Sequence, residues 1–404
     1  MSFAQRIGQI APSPTLKVTA EADRLRRQGI DVVDLGAGEP DFPTPEHIKA
    51  AAHEALRSDF TKYTPSAGIP ELREAVCARY EADYGVRFEP AQVIATAGGK
   101  QALYNTAMVL FDAGDEVITH APYWPTIPEQ IKLAGATPVI VQTSPEDGFA
   151  IHADAILAAV TPRTKAIVVN SPSNPAGALI SEDALAAIAD EAARRGLWVI
   201  ADLTYEKLIY DPVPHNLPRV LADRLPERAV ICSAASKAYA MTGWRCGWTI
   251  GPASFIAMCN AVQGHSTSNI NSIAQKAAVA ALTGPQEAVS TMLEEYRRRR
   301  DAVWSWLTAD SRITCVKPRG AFYLFPYIAD VLEATGLPSS NAFAEALLAE
   351  ARVAVTAGEG FDAPGFFRLS YATSTERLRE GMDRLHAFIA RRATEHQGSA
   401  AARS

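Results

Sequence analysis

The stretch TKAIVVNSPSNPAGALISEDALAAIADEAARRGLWVIAD, residues 164–202, contains two short apolar runs separated by a helical pattern. The first run ends in the turn residues SPSNPAG, and the second ends at Asp202. Between them, Ser181 precedes an acidic first turn and Gly196 follows the last helical position, which predicts a capped helix over 181–196. A strand, a helix and a strand in this order predict two parallel strands joined by a crossover helix.

The same alternation extends in both directions along the chain. Four further apolar runs predict strands at 116–122, 137–142, 229–233 and 247–251. From about residue 285 the pattern changes to a long charged helix followed by the strand patterns AFYLFP and FFRLSYA. We therefore predict an α/β fold with a mostly parallel central sheet flanked by helices. Its large domain spans 46–284, and a smaller α+β domain is built from both chain ends, 1–45 and 285–404.

Composition excludes several classes of function. The chain has 404 residues and a formal net charge of -6 without a basic block, which argues against a nucleic-acid partner. Its five cysteines are scattered and odd in number, which is typical of reduced thiols in the cytoplasm. We find neither a secretory signal nor an apolar run of membrane-spanning length. No group of His, Cys and Asp has the spacing of metal ligands, so no metal is expected.

Polar residues follow several of the predicted strands. Asn174 and Asp202 come after two neighbouring strands, Tyr205 lies three positions further on, and Lys237 follows the strand at 229–233. Taken singly, each has a common structural explanation, such as a helix cap, a turn or a surface lysine. Ligands of open parallel sheets bind at the carboxyl ends of the strands. The joint position of these residues at one rim therefore predicts a functional site there.

Seven motifs occur in order along the chain. They are LGAGEPDF (35–42), KYTPSAGIPELREAV (62–76), TAGGKQAL (96–103), APYWP (121–125), NSPSNPAG (170–177), SKAYAMTGWRCGW (236–248) and GAFY (320–323). Together they resemble the fold-type-I, pyridoxal-phosphate-dependent aminotransferases of class I. More narrowly, they are similar to the bacterial-type aspartate aminotransferases, some of which also use prephenate. The resemblance extends from PSPT at 12–15 to FRLSYATS at 367–374.

The resemblance implies a site for pyridoxal 5′-phosphate. In this family the lysine that matches Lys237 forms an aldimine with the cofactor aldehyde, which requires an amine that is partly neutral near pH 7. Asp202 matches the acid that faces the pyridine nitrogen, and Asn174 and Tyr205 match the donors to the phenolic oxygen; the catalytic set is Lys237, Asp202 and Tyr205. The other implied cofactor-binding residues are Gly99, Lys100, Ser236 and Arg245 around the phosphate, Trp124 on the ring and Tyr63 from a partner subunit.

The resemblance also implies how substrate is held. Arg368 matches the arginine that binds the α-carboxylate, and Gly38 offers a backbone N–H beside it. Lys100 and Thr15 match residues that recognise a distal carboxylate. Trp124 and Asn174 are also expected to contact substrate.

These matches imply ping-pong transamination between an L-amino acid, aspartate or glutamate, and a 2-oxo acid such as 2-oxoglutarate, in a cytoplasmic homodimer with shared sites. Ala11 stands where close relatives carry a lysine that helps to hold acidic substrates, which favours an aromatic or broad-specificity aminotransferase as the alternative. A pyridoxal-phosphate lyase on the same fold is a second alternative. A non-catalytic ligand sensor is a third, and the intact Lys237 argues against it.

Overall fold

The computed structural model of the chain describes residues 5–11 and 14–401. The strands in this part of the chain, in chain order, are β1 (Val33–Asp34), β2 (Val93–Thr96), β3 (Glu116–Ala121), β4 (Thr137–Gln142), β5 (Thr164–Asn170), β6 (Trp198–Asp202), β7 (Ala229–Ala234), β8 (Gly247–Ile250), β9 (Tyr323–Leu324), β10 (Val353–Ala354), β11 (Thr356–Ala357) and β12 (Phe367–Ser370).

The α-helices of the described residues are α1 (Pro14–Arg27), α2 (Glu46–Arg57), α3 (Pro70–Tyr84), α4 (Gly99–Leu110), α5 (Thr126–Leu133), α6 (Ala153–Ala158), α7 (Glu182–Arg195), α8 (Leu217–Arg224), α9 (Ala235–Ala238), α10 (Ala253–Ser266), α11 (Ser272–Thr283), α12 (Glu287–Leu307), α13 (Ala329–Thr335), α14 (Ser340–Ala351) and α15 (Thr375–Ala401). Short 3₁₀ helices lie at Gln5–Gln9, Pro90–Gln92, Pro145–Asp147 and Gly358–Phe361. None of the helices so described is both long enough and apolar enough to cross a membrane.

The largest sheet has the strand order β2-β8-β7-β6-β5-β3-β4. Neighbouring strands from β7 through β6, β5 and β3 to β4 are parallel, whereas β8 is antiparallel to both β7 and β2. The predicted α/β fold with a mostly parallel sheet is therefore confirmed. In the register of this sheet, Asn170 lies opposite Asp202, and Asp202 lies opposite Cys232. The carboxyl ends of β5, β6 and β7 consequently meet at one edge.

Both faces of this sheet are buried by helices. On β5, Ile167 and Val169 pack into a core with residues of α3, α7 and α11. The alternate residues Ala166 and Val168 pack on the other face, with residues of α4, α5 and α10. Side chains alternate between the two faces of a strand, so a strand covered on both sides must be apolar throughout. The central residues AIVV (166–169) have this composition, which is why the sequence pattern identified the strand.

Helix α7 begins and ends at the capping residues that the sequence predicts. Ser181 Oγ accepts a hydrogen bond from the backbone N–H of Ala184 at 3.1 Å. Gly196 follows the helix with φ 69°, a left-handed conformation that glycine adopts without a steric penalty. The chain then turns directly into β6 and delivers Asp202 to the edge of the sheet where β5 ends.

The chain ends form smaller sheets beside the large one. Strand β1 pairs in parallel with β10, while β11, β12 and β9 form an antiparallel sheet in that order. The pairing of β1 with β10 joins an N-terminal segment to the C-terminal part, as a domain composed of 1–45 and 285–404 requires. Those boundaries stay a prediction. Strands β9 and β12 carry Tyr323 and Arg368, which line the cavity described below.

Candidate active site

A cavity of about 390 Å³ opens at the carboxyl ends of β5, β6 and β7. Its lining residues are Gly36, Ala37, Gly38, Glu39, Gly99, Lys100, Trp124, Asn170, Asn174, Asp202, Thr204, Tyr205, Ser236, Lys237, Thr242, Arg245, Tyr323 and Arg368. Eleven of the thirteen residues predicted for the site are among them. Tyr63 and Thr15 are the two exceptions.

Lys237 reaches the cavity from the short helix α9, which follows β7 directly. Its Nζ donates a hydrogen bond to the backbone carbonyl of Gly38. Burial lowers the pKa of Lys237 from 10.5 to about 8, an effect that the nearby Glu39 carboxylate opposes and the Arg368 guanidinium reinforces. A substantial fraction of this amine is therefore neutral at mildly alkaline pH, as an amine that attacks a carbonyl group must be.

Asp202 closes β6 and is 2 % exposed. One carboxylate oxygen accepts hydrogen bonds from Thr204, at 3.1 Å from the backbone N–H and 2.7 Å from the hydroxyl. Burial raises the pKa of Asp202, although the Thr204 hydrogen bonds and Lys237 oppose this. An acid with little water around it is well suited to hold a cationic group of a ligand, because charge attraction is strong where the dielectric constant is low.

Arg368 lies on β12 with only 2 % of its surface exposed. Its Nη1 donates to Asn174 Oδ1 at 2.9 Å, and its Nη2 donates to the backbone carbonyl of Gly36 at 2.8 Å. Its Nε is buried without a hydrogen-bond partner in the described part of the chain. No Asp or Glu of the described residues forms an ion pair with Arg368. A buried, uncompensated guanidinium is costly, and an anionic ligand would compensate it.

The N-terminus of α4 forms another wall of the cavity. Gly98 has φ 79°, and a Cβ atom there would lie 2.5 Å from Arg245 Nη2. A Cβ at Gly99 would lie 2.9 Å from Thr204 Oγ1. A side chain at either position would displace Arg245 or Thr204, so glycine is favoured at both and leaves backbone N–H groups at a helix start beside an arginine. This arrangement is typical of a phosphate site.

Lys100 and Trp124 stand together at the same end of the cavity. Lys100 Nζ lies 5.1 Å from the centre of the Trp124 ring. Partial burial lowers the pKa of Lys100, and the positive charge of Arg245 lowers it further. Ser236 precedes Lys237 and also lines the cavity. Two cations near one helix start make this region electropositive.

Tyr63 is not among the residues that line the cavity of its own chain, and the side chain of Thr15 cannot be compared with the cavity. Tyr63 is 92 % exposed, on the segment between α2 and α3. The backbone of Thr15 lies in α1, but its side chain falls outside what the structure describes. Their predicted roles, one of which requires a partner subunit, stay predictions.

Several lining residues were not predicted. Tyr323 forms a 2.7 Å hydroxyl–hydroxyl hydrogen bond with Tyr205, and Thr242 Oγ1 donates to Glu39 at 2.9 Å. Asn170 accepts from the backbone N–H of Asn174 through its Oδ1 at 2.8 Å. Glu39, Asn170 and Tyr323 all lie within the motifs quoted above, and this was a signal that could have identified them as site residues. Apolar periodicity alone could not have found them.

Comparison with known proteins identifies the family. The sequence profile of Aminotransferase class I and II matches residues 30–385. The chain belongs to the class I and II aminotransferase family. It is 44% identical to an aspartate aminotransferase of Geobacillus stearothermophilus, over 97% of this chain and 100% of that protein. It is 45% identical to an aspartate/prephenate aminotransferase of Cereibacter sphaeroides, over 96% of this chain and 99% of that protein.

Solved structures agree with this assignment. The aspartate aminotransferase of Thermus thermophilus with maleate superposes with a TM-score of 0.91 at 44% identity, covering 96% of this chain and 100% of that one. The aspartate aminotransferase of Rhizobium meliloti also superposes with a TM-score of 0.91, at 38% identity, covering 97% and 99%. This chain is a pyridoxal-phosphate-dependent aminotransferase.

The side chains of this aminotransferase fit that cofactor. Lys237 would provide the amine for the aldehyde, and Asp202 would provide a buried carboxylate for the ring nitrogen. The two-glycine start of α4 and Arg245 would provide donors for the phosphate. All of these residues except Gly98 are among the lining residues of the one cavity.

Proposed function

We propose that this aminotransferase exchanges an amino group between aspartate or glutamate and a 2-oxo acid such as 2-oxoglutarate. The observation that carries the proposal is a pair of cations lining one cavity, Arg368 at its buried end and Lys100 beside Trp124. A dicarboxylic amino acid has one carboxylate for each. The names of two relatives, aspartate aminotransferase and aspartate/prephenate aminotransferase, agree with this choice.

Arg368 is the residue proposed to hold the α-carboxylate. Asn174 and Gly36 already hold both terminal nitrogens at 2.9 and 2.8 Å, so the guanidinium is fixed before substrate arrives. The planar guanidinium suits two parallel hydrogen bonds to a carboxylate. Gly38 lies beside it, and a Cβ there would approach Tyr323 Oη to 2.9 Å. A side chain at position 38 would therefore disturb the pocket that receives the carboxylate.

Lys237 is proposed to move the proton at the substrate Cα. Pyridoxal phosphate, when bound, supplies an aldehyde that accepts the amino group and an electron-poor ring that stabilises the carbanion. The lowered pKa of Lys237, about 8, is near the pH of the cell, which suits a general base. Asp202 would hold the proton on the ring nitrogen, and Tyr205 would direct its hydroxyl to the phenolic oxygen. Arg245 and the start of α4 hold the phosphate.

The homodimer with shared sites belongs to the same proposal. Tyr63 is 92 % exposed although it is a large aromatic residue, which supports a contact outside its own chain. We propose that it reaches the cofactor phosphate of a partner subunit. Cytoplasmic action is also proposed, and five cysteines without disulfide bonds support a reducing compartment. Sedimentation of the holoenzyme tests the dimer, and Tyr63→Phe should weaken retention of the cofactor.

The N-terminal segment gives a reason to consider amino donors other than aspartate and glutamate. Ala11 has no cationic side chain, and its backbone N–H donates to Glu129 at 3.0 Å. Lys100 and Arg368 would then be the only cationic side chains proposed here for holding the two carboxylates of an acidic substrate. An aromatic or broad-specificity aminotransferase is the second candidate on this ground.

The deciding experiment mixes the purified holoenzyme with single amino acids and follows the visible absorbance band of the cofactor. Aspartate and glutamate should change the band at least about tenfold faster than phenylalanine or alanine. Lys100→Met should lower kcat/KM for the acidic donors by about 10- to 100-fold, since a carboxylate loses its cation, and should leave phenylalanine nearly unchanged. Lys132→Met is the matched control, because Lys132 pairs with Glu129 and does not line the cavity.

Three results would change the proposal. Phenylalanine that reacts as fast as aspartate would establish the aromatic or broad-specificity alternative. Pyruvate and ammonia formed without an added oxo acid would indicate a lyase. An equal loss for acidic and neutral donors in Lys100→Met would assign Lys100 to the phosphate or to the fold, and the preference for acidic donors would be abandoned.

A further inference from the structure

Tyr323 lies between Tyr205, which is proposed to contact the cofactor, and Arg368, which is proposed to contact the substrate. It has no role in the function proposed so far. It is on β9, its side chain is 1 % exposed, and it lines the cavity. Its hydroxyl is 2.7 Å from the Tyr205 hydroxyl, although the two residues are 118 positions apart. Its ring lies 4.3 Å from Arg368 Cζ. One side chain therefore touches both the residue proposed for the cofactor oxygen and the residue proposed for the substrate carboxylate.

The two hydroxyls share one hydrogen bond, and its direction has a consequence. Burial raises the pKa of both Tyr205 and Tyr323, so each keeps its single proton. If Tyr205 donates its proton to the phenolic oxygen of the cofactor, it must accept the proton of Tyr323. A phenol that accepts a hydrogen bond becomes a better donor, because hydrogen bonds in a chain polarise one another.

The backbone of Gly38 lies close to the Tyr323 hydroxyl. A Cβ atom at position 38 would lie 2.9 Å from Tyr323 Oη, closer than the two atoms pack. The carbonyl of Gly38 also accepts the hydrogen bond from Lys237. Glycine at position 38 therefore leaves the space that the Tyr323 hydroxyl occupies when it bonds to Tyr205.

The Tyr323 ring also fixes the plane of the Arg368 guanidinium. Arg368 Cζ lies 4.3 Å from the Tyr323 ring centre and 5.2 Å from that of Phe361. The Tyr205 and Tyr323 rings meet edge to face, with centres 5.9 Å apart and planes at 76°. Cation–π contact is stronger where water is excluded, as it is around these residues.

We propose that Tyr323 is a positioning residue for both Tyr205 and Arg368. Its hydroxyl donates to Tyr205 and directs the Tyr205 proton to the cofactor oxygen, while its ring holds the carboxylate-binding plane of Arg368. The inference rests on the proposed function of Tyr205 and Arg368. It predicts that the hydroxyl and the ring of Tyr323 serve separate ends of the site.

The test separates the hydroxyl from the ring with two variants. In the holoenzyme, Tyr323→Phe should raise the pH midpoint of the visible absorbance transition by at least about half a pH unit. Without the Tyr323 hydroxyl, Tyr205 donates a weaker hydrogen bond, so more negative charge stays on the cofactor oxygen. A proton close to that oxygen is then held more tightly. Its affinity for maleate, a dicarboxylate without an amino group, should stay within about twofold. Tyr323→Leu should shift the same midpoint and also weaken maleate binding by about tenfold.

Tyr371→Phe is the matched control. Tyr371 is equally buried and its hydroxyl donates to Tyr210 at 3.1 Å, but it does not line the cavity. It should move neither the midpoint nor the maleate affinity. If Tyr323→Phe leaves the midpoint where it is, or if the two Tyr323 variants lose maleate affinity equally, the division of roles is refuted. A wild-type holoenzyme with no pH transition in its visible band would instead refute the proposed role of Tyr205, and this inference with it.

Discussion

The amine of Lys237 should destabilise the protein when the cofactor is absent. Replacing Lys237 by methionine removes the charge but keeps a flexible apolar chain of similar length. The cofactor-free Lys237→Met protein is therefore expected to be more stable than the cofactor-free wild type at neutral pH. The same substitution must abolish transamination, because the proposed general base is lost.

The size of the effect follows from the pKa. Burial lowers the pKa of Lys237 from 10.5 to about 8. At about 1.4 kcal/mol for each pH unit, this difference of roughly 2.5 corresponds to about 3 kcal/mol of destabilisation of the charged form. Methionine cannot replace the hydrogen bond to the Gly38 carbonyl, which offsets about 1 kcal/mol. The expected net gain is about 2 kcal/mol at pH 7.

The gain should depend on pH in a defined direction. Between pH 8 and 10.5 the unfolded wild type binds more protons at Lys237 than the folded protein does, so wild-type stability rises with pH in this window. The methionine variant lacks this titration. Its advantage should therefore be complete below pH 8 and should disappear by about pH 10.

Urea unfolding of the cofactor-free proteins at pH 7 and pH 10 measures both predictions. Lys49→Met is the matched control: Lys49 is a helix lysine that pairs with Glu46 at the surface, an arrangement worth at most about 1 kcal/mol. It should show no gain at pH 7. The reasoning fails if Lys237→Met is no more stable than wild type at pH 7, or if its advantage is the same at pH 10.

Three further substitutions test other parts of the site. Asp202→Asn should still bind pyridoxal phosphate but lower kcat at least about 100-fold, because an amide cannot hold the ring proton; near-normal kcat would reduce Asp202 to a helix cap. Arg368→Leu should lower kcat/KM for every amino acid by about 100- to 1000-fold, and a loss confined to acidic donors would contradict its proposed role. Glu206 is a partly buried acid that accepts hydrogen bonds from Tyr84 and Ser233, and desolvation of the carboxyl group raises its pKa. The folded wild-type protein therefore loses stability as the pH rises above 4.5, the ordinary pKa of a glutamate. In urea unfolding, the free energy of unfolding of Glu206→Gln should rise relative to that of wild type from about pH 5 to about pH 8. A difference between the two proteins that does not change with pH would refute this.

The central strands could be predicted from sequence almost to the residue. The runs at 137–142 and 164–170 coincide with β4 and β5, and the helix predicted at 181–196 is Glu182–Arg195 with the two capping residues outside it. These elements are defined locally. A strand buried on both faces is apolar throughout, and a capped helix has its signals at its own ends.

Strand direction could not be predicted in the same way. The run at 247–251 reads like its neighbours but forms β8, which is antiparallel to β7 and β2. Strand β2 was not predicted at all, although all four of its residues are buried. An apolar run indicates burial but not direction, because direction depends on how the chain returns to the sheet.

The site residues also differ in whether the order of elements along the chain could predict them. Asp202 and Lys237 were found because the first ends β6 and the second follows β7 closely, and the adjacency of these parallel strands follows from the order of elements. Tyr323 was quoted within a motif but given no role, because its contact with Tyr205 depends on how two distant parts of the chain pack. Residues that act through such contacts leave no periodic trace in the sequence.

The cations of the cavity connect stability with function. Neither Lys237 nor Arg368 forms an ion pair with an Asp or Glu of the described residues, although both are largely removed from water. Each therefore costs folding free energy that a carboxylate partner in the chain would have offset. A carboxylate placed there would also have competed with the anions that the site must bind. The stability that Lys237→Met should recover is thus the counterpart of the activity that it should lose. The same reasoning applies to Arg368, whose guanidinium can bind a carboxylate of maleate. Maleate should therefore raise the unfolding midpoint of wild type more than that of Arg368→Leu.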